Sequence, residues 1–103
     1  MDKEAVLAII SDFRKALEAA GIGVEKIILF GSYAAGNWRP DSDIDLVVIS
    51  EDFEGKGYWE RIDILSDAIF KVFKPIEAVA MTPHEWEAGD SFIAAYARSG
   101  EAV

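Results

Sequence analysis

The chain has 103 residues, of which 51% are hydrophobic and none is cysteine, so it can form one compact core but no disulfide or thiolate metal site. Its 19 acidic and 10 basic residues give a formal net charge of -9, which disfavours a nucleic-acid polymer as ligand because its phosphate backbone would be repelled. A small ligand whose charge is offset by a divalent cation is not excluded, since protein carboxylates can hold the cation.

The amino-terminal sequence predicts neither export nor membrane insertion. Met1-Asp2-Lys3-Glu4 lacks the basic start and apolar core of a signal peptide. No apolar stretch approaches the roughly 20 residues that a membrane span needs. We therefore expect a soluble, cytoplasmic protein with a single domain over residues 1–103.

The first third of the chain predicts a helix, a strand and a loop. Apolar residues recur every three or four positions over residues 4–20, which is typical of an amphipathic helix. The apolar run Lys26–Phe30 lies between glycines and predicts a short strand buried on both faces. Residues 33–41 are rich in turn formers, so we expect a loop, with at most one helical turn over residues 32–35.

The middle of the chain predicts two further strands joined by a helix. Strands are expected over Ile44–Ile49 and Ile76–Met81, and the polar segment 50–57 is expected to be a surface connection. Helical spacing over residues 58–73 predicts a helix with one apolar face. The residues assigned to that face are Trp59, Ile62, Leu65, Ile69, Val72 and Phe73.

The last part of the chain predicts two short helices. Thr82-Pro83-His84-Glu85 has the pattern of a capping box with proline in the first helical turn. Asp90 is expected to cap a final helix that runs to Ser99. The complete order is helix, strand, loop, strand, helix, strand, helix, helix, which predicts an α/β or α+β fold with a small sheet and helices packed against it.

Asp43 and Asp45 form the first candidate site. On an extended strand start their side chains point to one side, while Ile44 and Leu46 point into the core. Two carboxylates about 7 Å apart along a strand can share one or two hard cations. A solvated acidic loop is the commoner meaning of such a pair, so both interpretations stay open at this point.

Gly31-Ser32 and Arg39 form a candidate phosphate-binding segment. A glycine turn after a buried strand lets the backbone approach a phosphate closely, and the Ser32 hydroxyl can hydrogen-bond it. Arg39, in the following loop, is placed to reach triphosphate oxygens. An ordinary tight turn and a surface arginine are the alternative interpretations.

Glu77 is the candidate third carboxylate. In-line phosphoryl chemistry needs a group that activates the attacking hydroxyl, and Glu77 is an acid inside an otherwise apolar third strand. A strand-end glutamate that reaches solvent fits the pattern equally well.

The combination of these segments resembles a known family. Gly31-Ser32, then ten residues, then Asp43-Ile44-Asp45 is similar to the signature of the DNA polymerase beta-type nucleotidyltransferase superfamily, especially the minimal nucleotidyltransferases of prokaryotes. The resemblance covers most of the chain and implies the polymerase beta-type palm fold. It further implies that Asp43, Asp45 and the third-strand acid bind Mg²⁺, and that Gly31 and Ser32 bind the triphosphate.

The resemblance also implies a partner and a reaction. Members of this family are often antitoxins that silence a HEPN-domain ribonuclease toxin by transferring AMP from ATP to one of its tyrosines. We therefore expect Mg²⁺-dependent transfer of a nucleoside monophosphate, from ATP, to a hydroxyl of a HEPN-domain partner. The family's third acid is usually aspartate, and Glu77 is one methylene longer.

That departure supports an alternative function, a catalytically weak or silent module that neutralises a HEPN partner by binding. Transfer to a small molecule such as an aminoglycoside is less favoured, because the chain has no extra helical domain to enclose such an acceptor. The sequence leaves the nucleobase, the acceptor residue and the oligomeric state open.

Overall fold

The computed structural model describes all residues 1–103, and its elements follow the predicted order. They are α1 (Lys3–Ala19), β1 (Lys26–Phe30), α2 (Ser32–Ala35), β2 (Ile44–Ile49), a 3₁₀ turn (Glu51–Phe53), α3 (Tyr58–Val72), β3 (Ile76–Met81), α4 (Pro83–Ala88), α5 (Phe92–Ala97) and β4 (Glu101–Ala102). The short β4 is the one strand that the sequence did not predict. Two residues are too few to show an alternating pattern.

The four strands form one mixed sheet in the order β3-β2-β1-β4. β1 pairs antiparallel with both β2 and β4, whereas β2 and β3 are parallel. The parallel pair requires a crossover, which α3 provides. This architecture confirms the predicted α/β (α+β) class, a small mixed sheet flanked by helices.

One face of the sheet carries the larger core, a cluster of 16 buried residues to which α1 and α3 contribute side chains. Ile44, Leu46 and Val48 of β2 all belong to it, while their neighbours Val47 and Ile49 belong to a second cluster. This alternation is the period-two pattern of a strand whose two faces are both covered. Strand β2 is therefore buried on both faces of the sheet.

The opposite face carries a smaller core of 8 buried residues, which includes Trp86 of α4 and Ala94 and Ala97 of α5. α5 packs on β1 and α4 packs on β3. Both helices are only six residues long, so they cover part of this face. No helix combines the length and the apolar composition that a membrane crossing requires.

Side-chain caps fix where the helices begin. The predicted capping box at α4 is present, since the Thr82 hydroxyl accepts from the Glu85 N–H at 3.1 Å and the Glu85 carboxylate accepts from the Thr82 N–H at 2.8 Å. The expected cap at Asp90 is wrong. Ser91 caps α5 instead, with its hydroxyl accepting from the Ala94 N–H at 3.0 Å. Serine and aspartate are both good caps, so sequence alone could not choose between adjacent positions.

The predicted apolar face of α3 is wrong at both ends. Trp59 is 74% exposed and Phe73 is 81% exposed, whereas Leu65 and Ala68 are buried. Trp59 and Ala68 are nine positions apart, which is about two and a half turns and places them on opposite sides of the helix. Phe73 lies beyond the last helical residue, Val72, where the backbone turns into the left-handed region.

Tyr33 generates a stability prediction. Its ring is 1% exposed and stacks on Trp38 with ring centroids 5.4 Å apart, but its hydroxyl has no hydrogen-bond partner. Since a buried hydroxyl without a partner costs free energy, Tyr33→Phe should raise the free energy of unfolding by about 1 kcal/mol in urea denaturation. Tyr96→Phe is the matched control, because Tyr96 is 55% exposed and should give no change. A clear loss of stability in Tyr33→Phe would contradict the prediction and reveal a partner for the hydroxyl.

Candidate active site

The sheet register brings the candidate acids to one end of the sheet. Asp45 lies opposite Phe30 in the antiparallel pair and opposite Glu77 in the parallel pair. Asp43 directly precedes β2. Because β2 lies between β1 and β3, the carboxyl end of β1 and the amino ends of β2 and β3 meet at one end of the sheet.

Asp45 and Glu77 lie on the face of the sheet that α4 and α5 cover in part. Directly paired residues share a face, and Phe30, the other partner of Asp45, belongs to the smaller core on that side. Asp45 is half-buried, while Asp43 and Glu77 are exposed. The acids therefore form a cluster that is backed by apolar side chains and open to solvent in front.

The electrostatics of the cluster centre on Asp45. Burial is the largest cause that raises the pKa of the Asp45 carboxyl, and together with the neighbouring carboxylates of Glu77 and Asp43 it raises that pKa to about 6. Glu77 is also within hydrogen-bond reach of Asp45. Like charges that are held together in this way favour either a proton or a cation between them.

Gly31 connects the glycine turn to this cluster. Its φ angle is 74°, a conformation that L side chains rarely adopt. A Cβ atom at this position would collide with the Oδ2 atom of Asp45 and would lie 3.1 Å from the Asp45 carboxyl carbon. The turn thus packs directly against the central carboxylate, and only glycine leaves room for both.

Ser32 begins the four-residue helix α2 directly after that turn. Gly31, as the residue before the helix, has no side chain to accept from the first backbone N–H groups, which leaves such donors available to another acceptor. The Ser32 hydroxyl makes no side-chain hydrogen bond within the protein. Gly31 and the adjoining Ser32 therefore lie beside the carboxylate of Asp45.

Arg39 lies in the loop between α2 and β2. Its side chain is exposed and takes part in neither of the two ion pairs of the protein. Ser42, which sequence analysis did not single out, fixes the loop: its hydroxyl accepts from the Arg39 N–H at 2.8 Å, and its own N–H donates to the Arg39 carbonyl at 3.0 Å. A serine three residues after Arg39, with proline between them, was the available signal.

The carboxylates of the cluster fit a divalent cation only if other ligands complete its coordination. No three His, Cys, Asp or Glu side chains converge closely enough to hold a metal ion by themselves. Mg²⁺ does not need such a cage, because it commonly binds one or two carboxylates together with water and substrate phosphates. The mutual repulsion around Asp45 and the open front of the cluster fit a cation that shares its ligands with a phosphate group.

Arg61 lies apart from the cluster, in a groove of about 390 Å³ along the free edge of β3. It donates to Glu85 at 2.6 Å and to the carbonyls of Phe53 and Lys56 at 3.0 Å each. Burial acts to raise the pKa of Glu85, but the hydrogen bonds from Arg61 and from the Thr82 N–H hold it below its ordinary value. Arg61 therefore links α3 to its preceding loop and to α4 through these hydrogen bonds, and we assign it no catalytic role.

The family model that is described as a nucleotidyltransferase domain matches residues 10–87. This chain belongs to the nucleotidyltransferase domain family. The matched segment contains the glycine turn, the loop with Arg39, and all three candidate acids.

A protein of Methanocaldococcus jannaschii, provisionally named a protein adenylyltransferase, is 45% identical to this nucleotidyltransferase domain over 47 residues. Those residues are 44% of this chain and 47% of that protein. The match therefore spans about half the length of this curated relative.

Three solved structures have a similar fold. A provisionally named nucleotidyltransferase from Sulfolobus solfataricus superposes with a TM-score of 0.74 at 15% identity, over 97% of this chain and 80% of that chain. A second provisionally named nucleotidyltransferase gives 0.58 at 22% identity, over 93% and 94%. A toxin–antitoxin structure with AMP-PNP gives 0.53 at 23% identity, over 68% and 55%. At these identities the structures support the nucleotidyltransferase fold alone.

The contact between Gly31 and Asp45 generates a mutational prediction. Gly31→Ala should lower the free energy of unfolding by roughly 2 kcal/mol, because alanine is strained at positive φ and its Cβ displaces the Asp45 carboxylate. Gly36→Ala is the matched control, since its φ is 83° but a Cβ there meets nothing within 4 Å. It should lose only about 1 kcal/mol. Equal losses in urea denaturation would show that the contact with Asp45 is unimportant.

The raised pKa of Asp45 generates a pH prediction for the metal-free protein. A carboxyl whose pKa rises from 3.8 unfolded to about 6 folded stabilises the folded state below pH 3.8, and this contribution is lost as the pH rises through 6. Asp45→Asn should remove that loss. Because the side chain is partly exposed, we expect a gain of only about 1 kcal/mol at pH 7.

The measurement is urea denaturation at pH 4 and pH 7 in the presence of a chelator. Asp67→Asn, an exposed acid on α3, is the control and should change stability little at either pH. An Asp45→Asn variant that is no more stable than the wild type at pH 7 would contradict the predicted repulsion.

Proposed function

We propose that this chain is a Mg²⁺-dependent nucleotidyltransferase that transfers AMP from ATP to a hydroxyl group of a partner protein. The observation that carries the proposal is the position of Asp45, which packs against the Gly31 turn on one side and pairs with Glu77 on the other. A phosphate-binding turn and a carboxylate cluster in direct contact are what a phosphoryl-transfer site requires.

Each candidate residue has a distinct role in this proposal. Gly31 and Ser32 would hold the triphosphate through the backbone and the serine hydroxyl, and Arg39 would reach its outer oxygens. Asp43, Asp45 and Glu77 would bind Mg²⁺ together with water and phosphate oxygens, since the three carboxylates do not hold it by themselves, and the bound ion would offset phosphate charge. The exposed position of Arg39 suits this role because its guanidinium has no competing ion pair.

The proposed reaction forms one bond and breaks one. The acceptor oxygen bonds to the α-phosphorus of ATP, the bond from that phosphorus to the bridging oxygen breaks, and pyrophosphate leaves. The acceptor proton must go to a base. Glu77 is placed to take it, since its carboxylate is exposed beside Asp45 and can face an incoming hydroxyl.

The choice of ATP and of a protein acceptor rests on the relatives. The M. jannaschii relative is named as a protein adenylyltransferase, and one structural neighbour is a toxin–antitoxin structure with AMP-PNP. The resemblance to minimal nucleotidyltransferases adds a HEPN-domain toxin as the proposed partner. The charge of -9 supports this choice, because a ribonuclease that binds RNA is expected to be basic and would be attracted.

The first test incubates the purified protein with each labelled nucleoside triphosphate, Mg²⁺ and the protein encoded by the neighbouring gene, and measures intact masses. We expect the partner to gain AMP. Asp43→Asn combined with Asp45→Asn should reduce the rate at least 100-fold, because the cation and phosphate contacts are lost, while binding to the partner persists. Complex formation with no mass gain for any nucleotide would instead support the silent neutralising module.

The role of Glu77 has its own prediction. Glu77→Gln should lower the transfer rate by about 10²-fold or more, because the amide cannot accept the acceptor proton. Glu77→Asp keeps a base and restores the residue usual in the resembled family, so it should retain activity. Glu51→Gln is the control, an exposed glutamate that follows the far end of β2. Full activity in Glu77→Gln would remove Glu77 from the mechanism.

A further inference from the structure

The exposed face of α3 carries large aromatic side chains at both of its ends. Tyr58 and Trp59 lie at its start with ring centroids 5.0 Å apart, and Phe70 and Phe73 lie at its end with ring centroids 6.5 Å apart. The exposed fractions of these four side chains are 70%, 74%, 77% and 81% in chain order. Monomeric soluble proteins rarely expose such large apolar areas, so this face has the character of an interface.

The outward residues of α3 follow the spacing of a coiled-coil seam. Trp59, Asp63, Ser66, Phe70 and Phe73 are all exposed, and the intervals between them alternate between four and three residues. That alternation places them along one line of the helix and is typical of helices that pack side by side. The other side of α3 packs on the larger core. We refer to these five residues as the α3 seam.

The α3 seam is nearly symmetric about Ser66. Trp59 lies seven residues before this serine and Phe73 lies seven residues after it, so each aromatic end is about 10 Å from the centre by the helical rise. An antiparallel second copy centred on Ser66 would place Trp59 against Phe73 of that copy, twice. The small serine side chains between them would let the two helices approach closely.

The charges beside the seam change sign from one end of α3 to the other. The exposed charged residues are three acids followed by two lysines, namely Glu60, Asp63, Asp67, Lys71 and Lys74. The same antiparallel arrangement brings Glu60 beside Lys74 of the second copy, and Asp63 beside its Lys71. Asp67 lies next to the axis and faces its own copy, an unfavourable contact that the four favourable ones outweigh.

The net charge of -9 on each chain does not prevent this contact. Three acids and two lysines leave the exposed face of α3 nearly neutral, and most of the 19 acidic residues lie elsewhere in the chain. At physiological ionic strength, exposed charges farther apart than about 8 Å are largely screened from one another. The other acids of two copies therefore repel only weakly across this face.

We infer that the α3 seam is a dimerisation surface, at which two copies of this chain pack antiparallel about a two-fold axis at Ser66. The four exposed rings present roughly 450–750 Å² per copy, since an aromatic side chain buries 150–250 Å² when it is fully covered. Half-buried Ile62 and Ile69 lie beside the seam and add to this area. The total approaches the ~800 Å² per partner of a standard interface, and a two-fold axis makes each contact occur twice.

The dimer leaves both candidate active sites open. α3 packs on the face of the sheet that carries the larger core, whereas Asp45 and Glu77 lie on the face of the smaller core. Each copy would therefore present its carboxylates away from the other. Formation of the dimer does not depend on the transfer reaction.

The first test measures the dimer dissociation constant of the purified chain by sedimentation equilibrium at physiological ionic strength. We expect a reversible dimer between micromolar and millimolar concentration. Phe73→Gly should raise the dissociation constant about tenfold or more, as loss of a central aromatic contact does. Glycine is favoured at the positive φ of this residue, so the loss cannot result from unfolding. Phe92→Ser is the control, since this ring is 83% exposed on α5, and should change nothing.

A charge exchange tests the antiparallel order. Glu60→Lys and Lys74→Glu should each raise the dissociation constant about tenfold, because each places like charges together at two positions of the dimer. The double variant Glu60→Lys with Lys74→Glu restores opposite charges at both positions. Its dissociation constant should return to within about threefold of the wild-type value.

Three results would overturn the inference. A wild-type chain that stays monomeric at millimolar concentration has no such dimer. A dimer that Phe73→Gly leaves intact, or a double charge variant that is as weak as the single ones, would place the interface or its orientation elsewhere. A monomer whose binding to the protein of the neighbouring gene is lost in Phe73→Gly would make that protein the occupant.

Discussion

The pairing of β2 with a different neighbour on each side is the constraint on which the site depends. An antiparallel β1 places the end of one strand beside Asp45, and a parallel β3 places the start of another there. Reversal of either strand would move the glycine turn or Glu77 to the far end of the sheet. The crossover helix α3 makes the parallel pairing possible, so its packing on one face of the sheet determines where the candidate acids lie.

This strand pairing brings the carboxylates of Asp43 and Glu77 close to the half-buried carboxylate of Asp45, where their repulsion does not stabilise the fold. The raised pKa of Asp45 has burial as its main cause, followed by repulsion from Glu77 and Asp43. The cation and phosphate that the proposed function requires would relieve this repulsion, and such a compromise between stability and function is usual.

Phe73, directly after α3, is also unfavourable for stability. Phe73 combines a left-handed backbone conformation, which is strained for a residue with a side chain, with an exposed ring. Both departures lie at the end of the sheet where the carboxylates meet. The far end is tied down by Arg61, which satisfies carbonyls of the loop before α3 and the carboxylate of α4. The two ends of the sheet therefore differ, since hydrogen bonds from Arg61 link the elements at one end and the candidate acids lie at the other.

The sequence by itself determined the strands β1 to β3, the helices α1, α3 and α4, and the spacing of Gly31-Ser32 and Asp43-Ile44-Asp45. These features depend on local periodicity, capping and turn chemistry, which act over a few residues. It named Glu77 as the candidate third acid but left a solvent-facing glutamate equally open, because strand register is set by contacts between distant segments. Nor could it show that Phe73 leaves the core: helical spacing assigned the ring inward, and only the left-handed end of α3 turned it outward.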